Sequence, residues 1–133
     1  MSDHPNAKLI RWALDTIRSG DAESVMEIWA DDIEWHTFSR PEPIRTKAEM
    51  FAFLAADSPI ESDWVIHDVI GNDDHVIALT TDTATRDGET IEFRVARIYH
   101  VRDGKVTARW EFSDDTQRIV DFLSGPSRSA DSG

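Results

Sequence analysis

The chain is predicted to fold as an α+β domain in which helices cover one face of a strongly curved, mostly antiparallel sheet, leaving an internal pocket between the two. Three observations lead there. Apolar residues recur at helical spacing through the first 60 positions; from Trp64 onward they alternate; and turn pairs at Asn72-Asp73, Asp87-Gly88 and Asp103-Gly104 cut the alternating part into four segments. With no internal repeat or interdomain linker, residues 1–124 are expected to form one domain, and the Ser-rich stretch 125–133 a disordered tail.

Each element has its own signal. Leu9, Ile10, Ala13, Leu14 and Ile17 define a first helix, ended by Gly20. Asp21 is placed to cap a second helix carrying Val25, Ile28 and Trp29 on one side. A short strand from Ile33 to Phe38 follows the Asp31-Asp32 doublet, and Thr46 with Glu49 forms a capping box ahead of Met50, Phe51, Phe53 and Leu54. Strands are expected near 64–71, 75–86, 90–101 and 105–113, forming an antiparallel meander, then a final helix from Thr116 to Leu123 capped by Asp115 and stopped by Gly125-Pro126.

Composition narrows the function. The 133 residues include 26 acidic and 14 basic side chains, a net charge of −12 that repels a phosphate backbone, so no nucleic-acid partner is expected. The doublets Asp31-Asp32, Asp73-Asp74 and Asp114-Asp115 read as solvated loop chemistry. Absence of cysteine removes disulfides, thiol nucleophiles and thiolate metal sites together. His4, His36, His67, His75 and His100 have no metal-ligand spacing, so no metal is expected, and carboxylate acid–base chemistry of the kind considered below requires no organic cofactor. No apolar leader or membrane-length window is present, and a cytoplasmic location with no membrane partner is the simplest expectation.

The sharpest chemical signal is the charge within IEFRVARIYHVRDGKVTARWEF, an otherwise apolar hairpin that contains Arg97 and Glu111. Buried charges are costly unless paired or used, so the two form a structural ion pair, a surface accident or the polar end of a ligand site. Register decides among them. A two-residue turn at Asp103-Gly104 sets Arg97 opposite Trp110 and sends Glu111 to the other face with Arg109 and Thr107, as binary patterning prefers. A three-residue turn with Gly104 as the bulge instead aligns Glu111 with Phe93, Val95, Arg97 and Tyr99, and leaves Ala96, Ile98, Ala108, Trp110 and Phe112 on an apolar outer face that a second subunit could cover. A two-residue turn at Asp87-Gly88 pairs Asp82 with Phe93, on the face Glu111 takes in the bulged register.

Two blocks carry a family resemblance: RSGDAESVMEIWADDIEWHTF is similar to the opening of SnoaL-like proteins of the NTF2-like superfamily, and RVARIYHVRDGKVTARWEFSDDTQRIV to their closing hairpin and tail. The resemblance spans Lys8 to Leu123. It implies a cone-shaped domain with a deep apolar pocket, usually dimeric, as in polyketide cyclases, ketosteroid isomerases and limonene epoxide hydrolases. The isomerases' Tyr falls at Ala13, their base at Thr37 and their hairpin Asp at Arg97, which disfavours steroid isomerisation. The cyclases' hairpin His and Asp fall at Arg97 and Glu111. The epoxide hydrolases' two Asp residues match Asp82 and Glu111, while their intervening Arg falls at Thr80, so only Arg97 could replace it, from another strand.

The resulting expectation is a homodimer, joined through its outer sheet face, whose pocket takes a small, largely apolar, cyclic molecule. As an isomerase, cyclase or epoxide hydrolase it would use Glu111 as general base with a pKa raised by burial, Arg97 to stabilise an oxyanion and Asp82 as proton donor. Trp29, Trp35, Phe38, Phe53, Phe93 and Tyr99 would contact the ligand. His36, on the first strand, is expected near the pocket mouth. The competing expectation is a non-catalytic binding module in which Arg97 and Glu111 form a closed salt bridge.

Overall fold

The structure is a computed structural model that describes residues 4–38, 40–55 and 60–124. The expected tail, and the Gly125-Pro126 stop, lie outside the described residues. The elements run α1 (Pro5–Arg18), a 3-10 turn (Met26–Ile28), β1 (Trp29–Trp35), α2 (Lys47–Ala55), β2 (Glu61–Gly71), β3 (His75–Arg86), β4 (Glu89–Arg102), β5 (Lys105–Ser113) and α3 (Thr116–Ser124). The sheet order is β1-β5-β4-β3-β2: β2 to β5 form the antiparallel meander, and β1 adds to β5 in parallel.

Helix α1 begins earlier than its apolar period, because Pro5 occupies the first turn and the His4 ring accepts a hydrogen bond from the Asn6 N–H. It ends in a Schellman motif: Gly20, at φ 90°, donates to the Ile17 carbonyl, and Asp21 donates to Thr16. Its buried face of Ala7, Ile10, Ala13 and Leu14 packs on β2 and β3.

The expected second helix does not form. Asp21 caps only a turn, accepting from the Ser24 N–H and hydroxyl, and a single 3-10 turn leads straight into β1 at Trp29. Val25, Ile28 and Trp29 are all buried, as their spacing requires, but pairing of Trp29 with Val106 draws the backbone into the sheet before a helix can propagate. The expected Ile33–Phe38 strand is therefore shifted to Trp29–Trp35, and the Asp31-Asp32 doublet sits within it, where the pairing with β5 is irregular. The capping box at α2 is present, with the Glu49 N–H bonded to the Thr46 hydroxyl, and Asp115 caps α3 through the Arg118 N–H.

Both hairpin turns of interest have two central residues at positive φ, Asp87 (53°) with Gly88 (81°) and Asp103 (51°) with Gly104 (75°), the type I′ geometry whose twist matches paired strands. The β4–β5 register nevertheless follows neither simple alternative. Arg102 pairs with Lys105 and Val101 with Val106 across a two-residue turn, then His100 pairs with Ala108 and Arg97 with Glu111. Thr107 is the extra residue, so the bulge lies in β5 and not at Gly104. Its effect is to turn both Arg109 and Glu111 inward.

Candidate functional site

Between the helices and the concave side of the sheet lies a cavity of about 420 Å³, within the size range of small-molecule sites. Its walls are largely apolar. Leu14 and Ile17 come from α1, Phe53 and Leu54 from α2, Trp64 from β2, Phe93 and Tyr99 from β4, and Trp35 and Phe38 from β1 and the segment after it. Apart from Thr37 and Ser62, the polar lining is one charged cluster at the sheet: Asp82 from β3, Arg97 from β4, and Arg109 and Glu111 from β5.

Strand parity explains this gathering. Asp82 pairs with Phe93 and Arg97 with Glu111, while Arg109, two residues before Glu111, shares its face and pairs with Tyr99. Arg97 lies between the two carboxylates. Its Nη2 donates to Asp82 Oδ2 at 2.6 Å, its Nη1 to Thr80 Oγ1 at 2.9 Å, and its Nε to Glu111 Oε2 at 2.9 Å. The Thr80 hydroxyl in turn donates to Asp82 Oδ1 at 2.5 Å. The other Glu111 oxygen accepts from the Phe38 N–H at 3.2 Å. Arg109 Nη1 lies 2.8 Å from Glu111 Oε2 as an ion pair, while among the described residues Arg109 Nε has no hydrogen-bond acceptor. Its guanidinium carbon lies 3.7 Å from the ring centroid of Trp35, a cation–π stack.

These side chains are nearly inaccessible, from 5% exposed for Arg109 to 11% for Arg97. Burial and charge pairing therefore compete in setting the ionisation of Glu111, Arg97 and Arg109. Burial alone would raise the Glu111 pKa, but Arg109 and Arg97 outweigh it, and a hydrogen bond with Thr37 adds to them; the net position is below the usual carboxylate range. That is opposite to the upward shift expected of a general base. Burial pulls Arg97 down, and Glu111 with Asp82 more than reverses this, so its pKa is raised. Arg109 is lowered, because burial exceeds the attraction of Glu111. Burial raises Tyr99.

Asp82, Arg97, Glu111, Trp35, Phe38, Phe53, Phe93 and Tyr99 all border the cavity. Trp29 does not: it is 1% exposed and packs in the core edge-to-face against Trp35, ring centroids 4.9 Å apart. His36 is also displaced from its expected place, stacking on Trp110 at 5.3 Å and bonding Glu34 at 2.8 Å. Arg109, Thr80 and Trp64 also belong to this region, although the sequence does not assign them to the site. Arg109 had a signal, its two-residue spacing from Glu111, which assigns both to one face whichever face that is. Among the described residues no group of three or more His, Cys, Asp or Glu side chains is arranged to hold a metal.

The architecture and this cavity define an NTF2-like α+β domain. The chain belongs to the SnoaL-like domain family, whose model matches residues 10–109. No curated protein matches it in sequence. Among solved structures it is similar to an LEH-like epoxide hydrolase from M. tuberculosis, at 17% identity and TM-score 0.73 over 96% of both chains. An NTF2-like protein of unknown function from Burkholderia pseudomallei superposes with TM-score 0.78 at 17% identity, over 94% of this chain and all of the other. A putative polyketide cyclase from Xanthomonas campestris gives TM-score 0.71 at 16% identity, over 92% of this chain and 98% of its own. At such identities the likeness establishes the fold alone.

Proposed function

We propose that the protein binds a small, largely apolar, cyclic molecule in this cavity, as a homodimer joined through the outer face of its sheet. The observation that carries the binding role is an apolar chamber closed at the sheet by a charge-balanced cluster of two guanidinium and two carboxylate groups. Both Glu111 oxygens are engaged and its pKa is depressed, so the cluster as it stands is a weak base and a firm structural floor. This favours the binding module over proton abstraction by Glu111.

One observation favours a catalytic reading. The order Asp82–Arg97–Glu111 sets a guanidinium between two carboxylates, the arrangement the resemblance to epoxide hydrolases calls for, with the Arg supplied from β4. In that reading Glu111 would activate water and Asp82 would protonate the leaving oxygen, without organic cofactor or metal.

Glu111→Gln separates the two. For a base, it abolishes turnover of an epoxide or enolisable ketone that the native protein converts, and leaves the melting temperature nearly unchanged. For a structural floor, it strands Arg109, whose ionic contact is with Glu111, whereas Arg97 keeps Asp82. Loss of about 3–5 kcal/mol is then expected, much of it recovered in Arg109→Met/Glu111→Leu. A thermally unaltered Glu111→Gln protein that has lost turnover would overturn the binding-module reading.

A further inference from the structure

Among the described residues, the polar atoms that the cavity-lining side chains leave buried and without a hydrogen-bond acceptor are all donors: Nε1 of Trp35, Nε1 of Trp64 and Nε of Arg109, whose Nη1 has only its ion pair with Glu111. The carboxylate acceptors in the same wall are already engaged. Glu111 is held by Arg97 and the Phe38 N–H, and Asp82 by Arg97 and the Thr80 hydroxyl. Buried donors without acceptors are costly, and a hydrocarbon ligand would leave every one of them unmatched. Arg109 is the least satisfied, because the single Glu111 oxygen it approaches is shared with Arg97. Stacking on Trp35 fixes its plane before any ligand arrives.

Resting on the small-molecule reading above, we propose that the cavity selects ring compounds bearing an anionic, acceptor-only oxygen group, a carboxylate or an ionised enol, seated against Arg109. Further carbonyl oxygens on the ring would meet the Trp35 and Trp64 indoles. The net charge of −12 does not oppose this at contact range, because exposed charges are screened over roughly 8 Å at physiological salt and the guanidinium is adjacent. Ammonium ligands are excluded by the same inventory, since a donor group would find the carboxylates occupied.

Titration calorimetry at neutral pH with four probes tests the assignment: 2-naphthoate, 2-hydroxy-1,4-naphthoquinone (ionised as its enolate), 2-naphthalenemethanol and 2-naphthylmethylammonium. Both anions are expected to bind about tenfold or more tightly than the alcohol, as charge-assisted hydrogen bonding warrants, and the ammonium most weakly. A preference confined to one anion identifies which source of anionic oxygen the cavity serves. Arg109→Gln should erase the anion preference, bringing the ratio of anion to alcohol affinity to about one whatever its effect on overall binding. Trp64→Phe keeps the ring and deletes one donor; it should weaken the quinone enolate more than the alcohol, and it supplies the answer if Arg109→Gln fails to fold. Equal affinity for alcohol and anions in the native protein, survival of the preference in Arg109→Gln, or no differential effect of Trp64→Phe would each overturn the inference and leave the small-molecule reading standing. Binding of none of the four would remove both.

Discussion

At the scale of single residues, the four ionisable groups share work unequally. Arg97 is doubly anchored, by Asp82 and by Glu111, whereas Arg109 depends for its ionic contact on one oxygen of Glu111. Protonating Glu111 should therefore cost the fold more through Arg109 than through Arg97. Because the folded-state pKa of Glu111 lies below its ordinary value of 4.5, its contribution is complete above that value and is lost as pH falls through the lower folded one. Melting temperatures followed from about pH 6 to pH 3 should fall more steeply for the native protein than for Arg109→Met/Glu111→Leu, which has no such proton to take up. Parallel curves for the two would mean that Glu111 does not carry acid sensitivity.

At the scale of the secondary-structure element, the decisive feature is the bulge at Thr107. Residue types alone favour a straight two-residue hairpin with Glu111 outward, since that register collects Phe93, Val95, Tyr99, Ala108 and Phe112 on one face. The straight register would also bury Arg97 with no carboxylate from β5 opposite it. Charge pairing thus outweighs binary patterning, at the cost of turning Phe112 outward, where it is 54% exposed in the single chain. Deletion of Thr107 is expected to be tolerated: His100 already pairs with Ala108, so a regular ladder would keep Arg97 opposite Glu111. Near-native melting with the Glu111→Gln penalty intact would bear this out, and an unfolded deletion variant would show that the bulge itself is needed.

The meander, its turns and most of the residues that border the cavity were legible in the sequence because each rests on local chemistry: alternation, Asp-Gly pairs and parity. The strand from Trp29 was not, since spacings of three and four residues among Val25, Ile28 and Trp29 fit a helix equally well, and only pairing with β5, some 77 residues away by the Trp29–Val106 register, decides otherwise. Arg109 was missed for a related reason. Its spacing from Glu111 puts the two on one face, but that this face is the inner one follows from a bulge that no residue type announces.

At the scale of the whole molecule, the convex side of the sheet presents Val65, Ile70, Ile77, Leu79 and Phe112, each at least 37% exposed. A spread of this kind on one face is more than scattered surface apolarity, and a second copy of the same face would cover it. Sedimentation at micromolar concentration is expected to give about twice 15.1 kDa. Phe112→Lys with Val65→Lys should shift the particle to a monomer without unfolding it, as neither side chain lies in the core. A native monomer at that concentration would count against the homodimer.

Among the described residues the sheet order also leaves the outer side of β2 unpaired, and that of β1 paired only at Trp35, which bridges to Ile44. Such rims can recruit foreign strands and seed fibrils, and proteins commonly guard them with charge. Here the guards are carboxylates: Asp31, Asp32 and Glu34 along β1, and Glu61, Asp63 and Asp68 along β2. Protection of that kind is a property of pH as well as of sequence. Agitated near pH 3, where most carboxylates are neutral, the protein should develop thioflavin-positive fibrils that the same protein at pH 7 does not, and replacing Asp63 and Asp68 with Asn should bring the onset toward neutrality.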